Sequence, residues 1–234
     1  MENDLDFEVF LYLSAEKMIL SVNRKTNFKL IFQDEFFIKN DSTNLNFNEL
    51  NFFLNKNIFK VEKILGNFIE KINVILDTSK FLNLQISMKK NDHNEIINSD
   101  VILYLIKDAK YQCDKTIQDM KITHILIENY FIDNICYKEL PLNQKCKSFS
   151  LDISFICLPC ELVKQIEKTL KKFQISVNRI LSANYIDKFV NERDNNLFKI
   201  TSKIIDGHNK NEVRLVNKTL KNKGFFEKFF DLFG

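Results

Sequence analysis

FEVFLYLSAEKMILSVNRKTNFKLIFQDEFFI, residues 7–38, decides how this chain begins to fold. Apolar residues dominate 7–13, 18–23 and 28–38, and the gaps between them are short and polar, which predicts three strands in a meander. Immediately beyond, Phe47, Leu50, Leu54, Ile58, Val61 and Leu65 recur every three or four positions behind Asn46, a good cap. That spacing predicts a helix over 46–65 packed on the meander. Strand character returns over 68–89, where Ile72, Val74 and Leu76, then Leu82, Leu84, Ile86 and Met88, alternate about Asp77-Thr78-Ser79. A hairpin is expected there. Ser99 or Asp100 caps a helix reaching about residue 115, with Val101, Leu105, Ala109 and Cys113 on its buried face. Strands at 122–137 and 149–158 follow, then a helix opened by Pro159 or Cys160 that buries Leu162, Ile166, Leu170 and Phe173, then a strand at 177–185. The compact part is expected to end near residue 186. Residues 187–224 turn rich in Asn, Lys, Asp and Glu around a short amphipathic piece, 197–205, and read as a linker. The fold class is therefore α+β.

Composition narrows the function classes. The chain has 234 residues, 45% of them apolar, enough to bury a core. Abundant Lys, Asn, Ile and Phe with little Gly, Pro or Ala is what an AT-rich genome encodes whatever the function, so each lysine says less. The net charge of +3 comes from 34 basic and 31 acidic residues spread along the chain. No basic stripe marks a phosphate backbone, so nucleic acid is not an expected partner. No apolar run approaches the ~20 residues of a membrane span, and Met1-Glu2-Asn3-Asp4 is unlike a secretory leader, so a cytoplasmic protein is expected. Five cysteines, an odd number, argue for reduced thiols rather than a disulfide framework.

The sharpest physical feature is the C-terminal run 224–234. At about 100° per residue, Phe225, Phe226, Phe229, Phe230, Leu232 and Phe233 fill one arc of a helix, with Glu227, Lys228 and Asp231 on the other. Such a short segment holds a helix only against an apolar partner. Burial is worth up to roughly 1.5–3 kcal/mol per phenylalanine before ordering costs. A bilayer interface suits it, with Lys221, Lys223 and Lys228 beside anionic headgroups, although Glu227 and Asp231 oppose that attraction. The alternatives are docking on the chain's own core or in a protein groove. One short helix binds weakly, so many copies held on a polymer would anchor better.

Catalytic chemistry finds little support. Cys157-Leu158-Pro159-Cys160 has the spacing of a redox motif at a strand-to-helix junction, where a thiol pKa falls. Its depth in the chain, and the lack of a preceding Trp or a later Pro, favour buried structural cysteines. His93, His124 and His208 form no cluster at ligand spacing, so no metal site is expected. Glu128 and Asp133 flank Tyr130 without sign of a cleft, and no nucleophile motif appears.

Residues 72–185 resemble the strand-helix-strand-strand module inserted into the actin-like core of the bacterial division protein FtsA. The resemblance is carried by Ile122-Thr123-His124-Ile125-Leu126-Ile127-Glu128-Asn129-Tyr130-Phe131-Ile132-Asp133, by Pro141-Leu142 at the following turn, by the returning strand 151–158 and by Ser182-Ala183-Asn184-Tyr185. Residues 224–233 resemble that family's membrane-targeting helix. The domain plan it implies is a partial actin-like, ribonuclease-H-like subdomain over 1–70, the inserted module over 71–186, a linker over 187–223 and the membrane helix over 224–234. It further implies a peripheral adaptor on the cytoplasmic face of the inner membrane. Its partners would be lipid, division proteins including FtsZ, and other copies of itself, with Tyr130 and Asp133 in the contact stretch. Departures matter as much. Tyr12-Leu13-Ser14-Ala15 stands where the family places an acidic residue and a phosphate-approaching glycine, and only Lys17 matches. With four glycines, Gly66, Gly207, Gly224 and Gly234, no Gly-rich nucleotide loop is built. The second actin-like half has no counterpart. No cofactor and no enzymatic activity are expected. Two alternatives stand beside this reading: a pilus adaptor like PilM, and a thiol oxidoreductase using Cys157 and Cys160.

Overall fold

The computed structural model describes residues 6–38, 44–90, 96–140, 144–190 and 195–215. The elements in order are β1 (Phe7–Leu13), β2 (Lys17–Arg24), β3 (Leu30–Phe37), α1 (Phe47–Leu65), β4 (Lys71–Leu76), β5 (Leu82–Lys90) and α2 (Ser99–Thr116), then β6 (Met120–Ile132), β7 (Ile135–Tyr137), β8 (Phe149–Pro159), α3 (Cys160–Lys171), β9 (Ser176–Ser182), α4 (Ala183–Asp187) and α5 (Leu197–Ile205). The fold is α+β, as expected. The chain divides into two compact units, Met1–Phe81 with Leu158–His208, and Leu82–Cys157 with the chain from Asn209 on.

In the first unit the strands lie in the order β3-β2-β1-β4-β9. The meander is antiparallel, with Leu11 opposite Leu20 and Leu13 opposite Met18, while β4 runs parallel to β1 and β9 parallel to β4. Parallel neighbours need a crossover, and α1 carries the chain from the far edge at β3 back to β4, beside β1. Asn46 starts α1 by accepting the Asn48 and Glu49 amides, and Gly66 ends it at φ 66°, a conformation that suits a residue without Cβ. The α1 face Leu50, Phe53, Leu54, Ile58 and Val61 joins Leu162, Ile166 and Leu170 of α3 over one side of the sheet. On the other side the Phe10 ring meets Phe198 of α5, centroids 5.7 Å apart.

The second unit is a sheet in the order β5-β8-β6-β7. β5 pairs antiparallel with β8, Ile86 opposite Ile153. From α2, Val101, Leu105, Ala109 and Cys113 share a core with Ile125, Ile127, Phe149, Leu151 and Phe155. β6 turns into β7 through Asp133 and Asn134, both at positive φ (47° and 71°), the backbone a two-residue hairpin requires. Residues 209–213 lie along β6 as a further strand-like segment. The Ile127 amide donates to the Asn211 carbonyl at 2.9 Å and the Val213 amide to the Ile125 carbonyl at 2.8 Å.

Four expectations give way. The 72–88 hairpin does not form, because β4 and β5 belong to different sheets. Their burial tells them apart: β4 is buried at five successive positions, the signature of an interior parallel strand, whereas β5 alternates like an edge strand. The boundary near residue 70 moves as well. The first unit takes β4, and after the second unit's excursion it takes α3 and β9, so it is discontinuous in sequence. Finally, the stretch read as a linker from 187 contains α5, whose Phe198, Ile200 and Ile204 are buried. The strand predicted over 122–137 is two strands, β6 and β7.

Phe198 separates a linker from a core element. Phe198→Ala should cost the first unit about 3 kcal/mol in denaturant unfolding. A solvated linker position would change stability by less than about 0.5 kcal/mol.

Candidate functional site

In open sheets with parallel strands, ligands gather beyond the carboxyl ends of those strands. Here that corner lies beyond β1, β4 and β9. The β1–β2 turn, Ser14 to Lys17, is closed on itself. The Ser14 amide donates to the Lys17 carbonyl at 2.9 Å, and the Ser14 hydroxyl oxygen accepts the Glu16 and Lys17 amides at 3.2 and 2.9 Å. Those amides point at Ser14 rather than outward, and Ser14 is itself buried. The turn therefore lacks the outward amide cradle that holds a phosphate. Parallel register sets Leu13 against Leu76, which brings the Tyr12 phenol to Asp77, donating to Oδ2 at 2.8 Å. Burial first, then the bond to Asp77, pushes the Tyr12 hydroxyl pKa up. Asp187, at the end of α4, is raised by burial and then by the charge of Asp77. Lys17, the residue matching the family, pairs with Glu35 at 3.0 Å. Two carboxylates near each other, with that lysine already paired, oppose a polyphosphate. The residues present do not fit a nucleotide. The corner was partly legible: strand alternation puts Tyr12 opposite Leu11 and Leu13, but nothing in the sequence announces Asp77 as its partner.

Tyr130 and Asp133, expected at a partner contact, serve the second unit internally. The Tyr130 side chain is 1% exposed and its hydroxyl donates to Asn211 Oδ1 at 3.4 Å. A ring so enclosed presents nothing to a neighbour, which corrects that expectation. Asp133 occupies the β6–β7 turn, where Oδ1 accepts the Lys147 and Ser148 amides at 2.9 and 2.8 Å. Its carboxylate ties the turn to the segment entering β8. The membrane-helix residues Phe225, Phe226, Phe229, Phe230, Phe233, Lys221, Lys223 and Lys228 lie outside the described residues, as do Pro141 and His93.

His124 is buried on β6, Nδ1 2.8 Å from Glu212 Oε1, the two side chains 0% and 4% exposed. Glu212 sits in the segment paired along β6, so the contact pins that segment at its centre. Sequence reasoning missed Glu212 because it falls in a polar stretch without period. Among the described residues no group of three or more acidic, His or Cys side chains is placed to hold a metal. The cysteines are all free. Cys157 is fully buried, and burial first, then the neighbouring Cys113, pushes its thiol up to about 12. A redox cysteine needs the opposite, an exposed thiol with a lowered pKa. No helix among the described residues is long and apolar enough to cross a membrane.

No protein-family model and no curated protein matches the chain. Among solved structures it is similar to the cytoplasmic domain of EpsL, an inner-membrane component of the type II secretion system of Vibrio cholerae, at 11% identity over 77% of this chain and 58% of that one, TM-score 0.40. It is similar to a chain of the PilM–PilN type IV pilus biogenesis complex at 6% identity over 78% of this chain and 49% of that one, TM-score 0.48. A Bacteroides thetaiotaomicron protein of unknown function with an actin-like ATPase fold is similar at 13% identity over 79% of this chain and 56% of that one, TM-score 0.32. The chain spans between 49% and 58% of the length of these three. Likenesses at this level fix neither family nor activity.

The cysteines offer a direct check on the thiol chemistry. In the folded protein at pH 8, Cys136, which is exposed, should alkylate readily while Cys113 and Cys157 react only after denaturation, as peptide mass mapping would show. Rapid native labelling of Cys157 would restore the redox reading.

Proposed function

We propose that this chain is a non-catalytic adaptor of a membrane-associated machinery, working in cell division at the cytoplasmic face of the inner membrane. The observation that carries the reading is the place of the excursion. A five-stranded sheet of mixed direction is interrupted after β4 by a separate compact unit and resumes with α3 and β9. The resemblance to FtsA implies an inserted module in that region. The closed β1–β2 turn and the acidic corner support a chain that holds partners without using a nucleotide. The tail supplies the lipid contact, and partners are division proteins, FtsZ among them, together with further copies of the chain.

An adaptor of pilus biogenesis is the second reading. A chain of a solved pilus complex is among the similar structures, and the inserted unit is compatible with it. Against it, the resemblance to PilM implies retained nucleotide motifs and no Phe-rich tail. Thiol oxidoreduction is disfavoured by the burial of Cys157.

The test is co-sedimentation with anionic vesicles, without ATP, of the full chain and of a version ending at Lys223, each with and without FtsZ filaments. The full chain should pellet and carry FtsZ with it, and the shortened version should do neither. Pelleting without FtsZ would favour the pilus-type adaptor. Absence of lipid binding by the full chain would overturn the membrane role.

A further inference from the structure

The outward face of the α1/α3 layer has no role in the core and carries an unusual mixture. On α1, Phe52 and Phe59 are 62% and 74% exposed although they are large aromatics. Seven residues apart, they stand nearly in line at 3.6 residues per turn, and Lys56 and Lys63 fall on the same arc, with Lys60 beside it. Phe52 rests against Phe36 of β3, centroids 6.2 Å apart, so its ring is seated rather than free to fold away. The Lys172 ammonium at the end of α3 donates to Asn51 of α1 at 3.2 Å, which makes the two helices one continuous surface. Lys164, Lys168 and Lys171 line the exposed side of α3.

The charges are one-sided. The exposed charged residues of the two helices are six lysines, the three on α1 and the three on α3, against two glutamates, Glu161 and Glu167. Glu62 is half-buried and its Oε1 accepts the Ile69 amide at 3.1 Å. Lys56 is partly neutralised by Asp34 at 3.1 Å, and the other five lysines keep the face positive. An isolated exposed phenylalanine needs no explanation, but two aligned ones interleaved with lysines match an interfacial surface: rings at the acyl boundary and ammonium groups among anionic headgroups.

We infer that the α1/α3 face is a second membrane-contact surface, recognising an anionic lipid leaflet through Phe52 and Phe59 and the surrounding lysines. This rests on the membrane-adaptor reading and deepens it, because stable attachment by weak elements takes two signals rather than one. Phe52 and Phe59 supply the insertion, and Lys60, Lys63, Lys168 and Lys171 the charge selectivity.

The experiment measures partitioning of the full chain onto vesicles of phosphatidylglycerol and phosphatidylcholine, and onto phosphatidylcholine alone. It compares the wild type with Phe52→Gln/Phe59→Gln, with Lys60→Gln/Lys63→Gln/Lys168→Gln, and with the tail variant Phe226→Gln/Phe229→Gln. All changes on the α1/α3 face are at exposed positions, and unchanged thermal melts confirm that the fold is kept. The helix-face aromatic variant should partition about tenfold more weakly. The lysine variant should lose most of its preference for anionic vesicles. If the tail variant loses binding while both helix-face variants bind as the wild type does, this inference is overturned and the adaptor reading stands. If the wild type binds no vesicles, both fall, and the face is left as a protein-binding surface.

Discussion

β1 lies inside its sheet with β2 on one edge and β4 on the other, and with helices over both faces. From Val9 to Leu13 no side chain exceeds 9% exposure. An interior strand of this kind has no solvent-facing side to carry polar residues, which explains why Val9-Phe10-Leu11-Tyr12-Leu13 is an unbroken apolar and aromatic run. The one polar atom in the run, the Tyr12 hydroxyl, must then find a partner at the strand's end, and Asp77 provides it. The same bond makes the corner that a nucleotide would need acidic and self-satisfied. Packing of the central strand and unsuitability of the corner for phosphate thus have a common origin.

The second unit solves a different problem. Its strand β6 is 13 residues long while β7 covers only its last part, so a stretch of β6 edge is left over. Open edges invite pairing with other chains. Residues 209–213 occupy that edge through two backbone hydrogen bonds, and the buried contact between His124 and Glu212 fixes their register. Removing one member of such a pair would leave the other buried without it, which is more costly than never having built the pair. Residues 209–213 are therefore part of a folded body.

Elements with strong local signals were legible from the residues: the meander of β1, β2 and β3, α1 with its Asn46 cap, and the helices α2 and α3. The membership of those elements was not. β4 and β5 read as a hairpin because both alternate or run apolar around a polar turn, whereas their long-range pairing puts them in different sheets, with burial to match. The piece 197–205 was legible as amphipathic, but its polar flanks assigned it to a linker although Phe198, Ile200 and Ile204 form a buried face of α5. Tyr130 looked like a contact residue through its motif, yet its position on β6 turns it into the core. At the site, Tyr12 was noticed for what it replaced and Lys17 as the one match, while the roles of Asp77, Asp187 and Glu212 entered only through long-range pairing, which no local pattern encodes.

The whole reading depends on the first unit being completed by chain that returns after the second. Hydrogen exchange monitored by mass spectrometry on the full chain addresses that directly. Peptides from β9 and from 197–205 should be protected to the same order as those from β1 and β4, because they open only when that unit unfolds. Exchange of 197–205 within seconds, at the rate of an unstructured segment, would contradict the account and return that stretch to a linker.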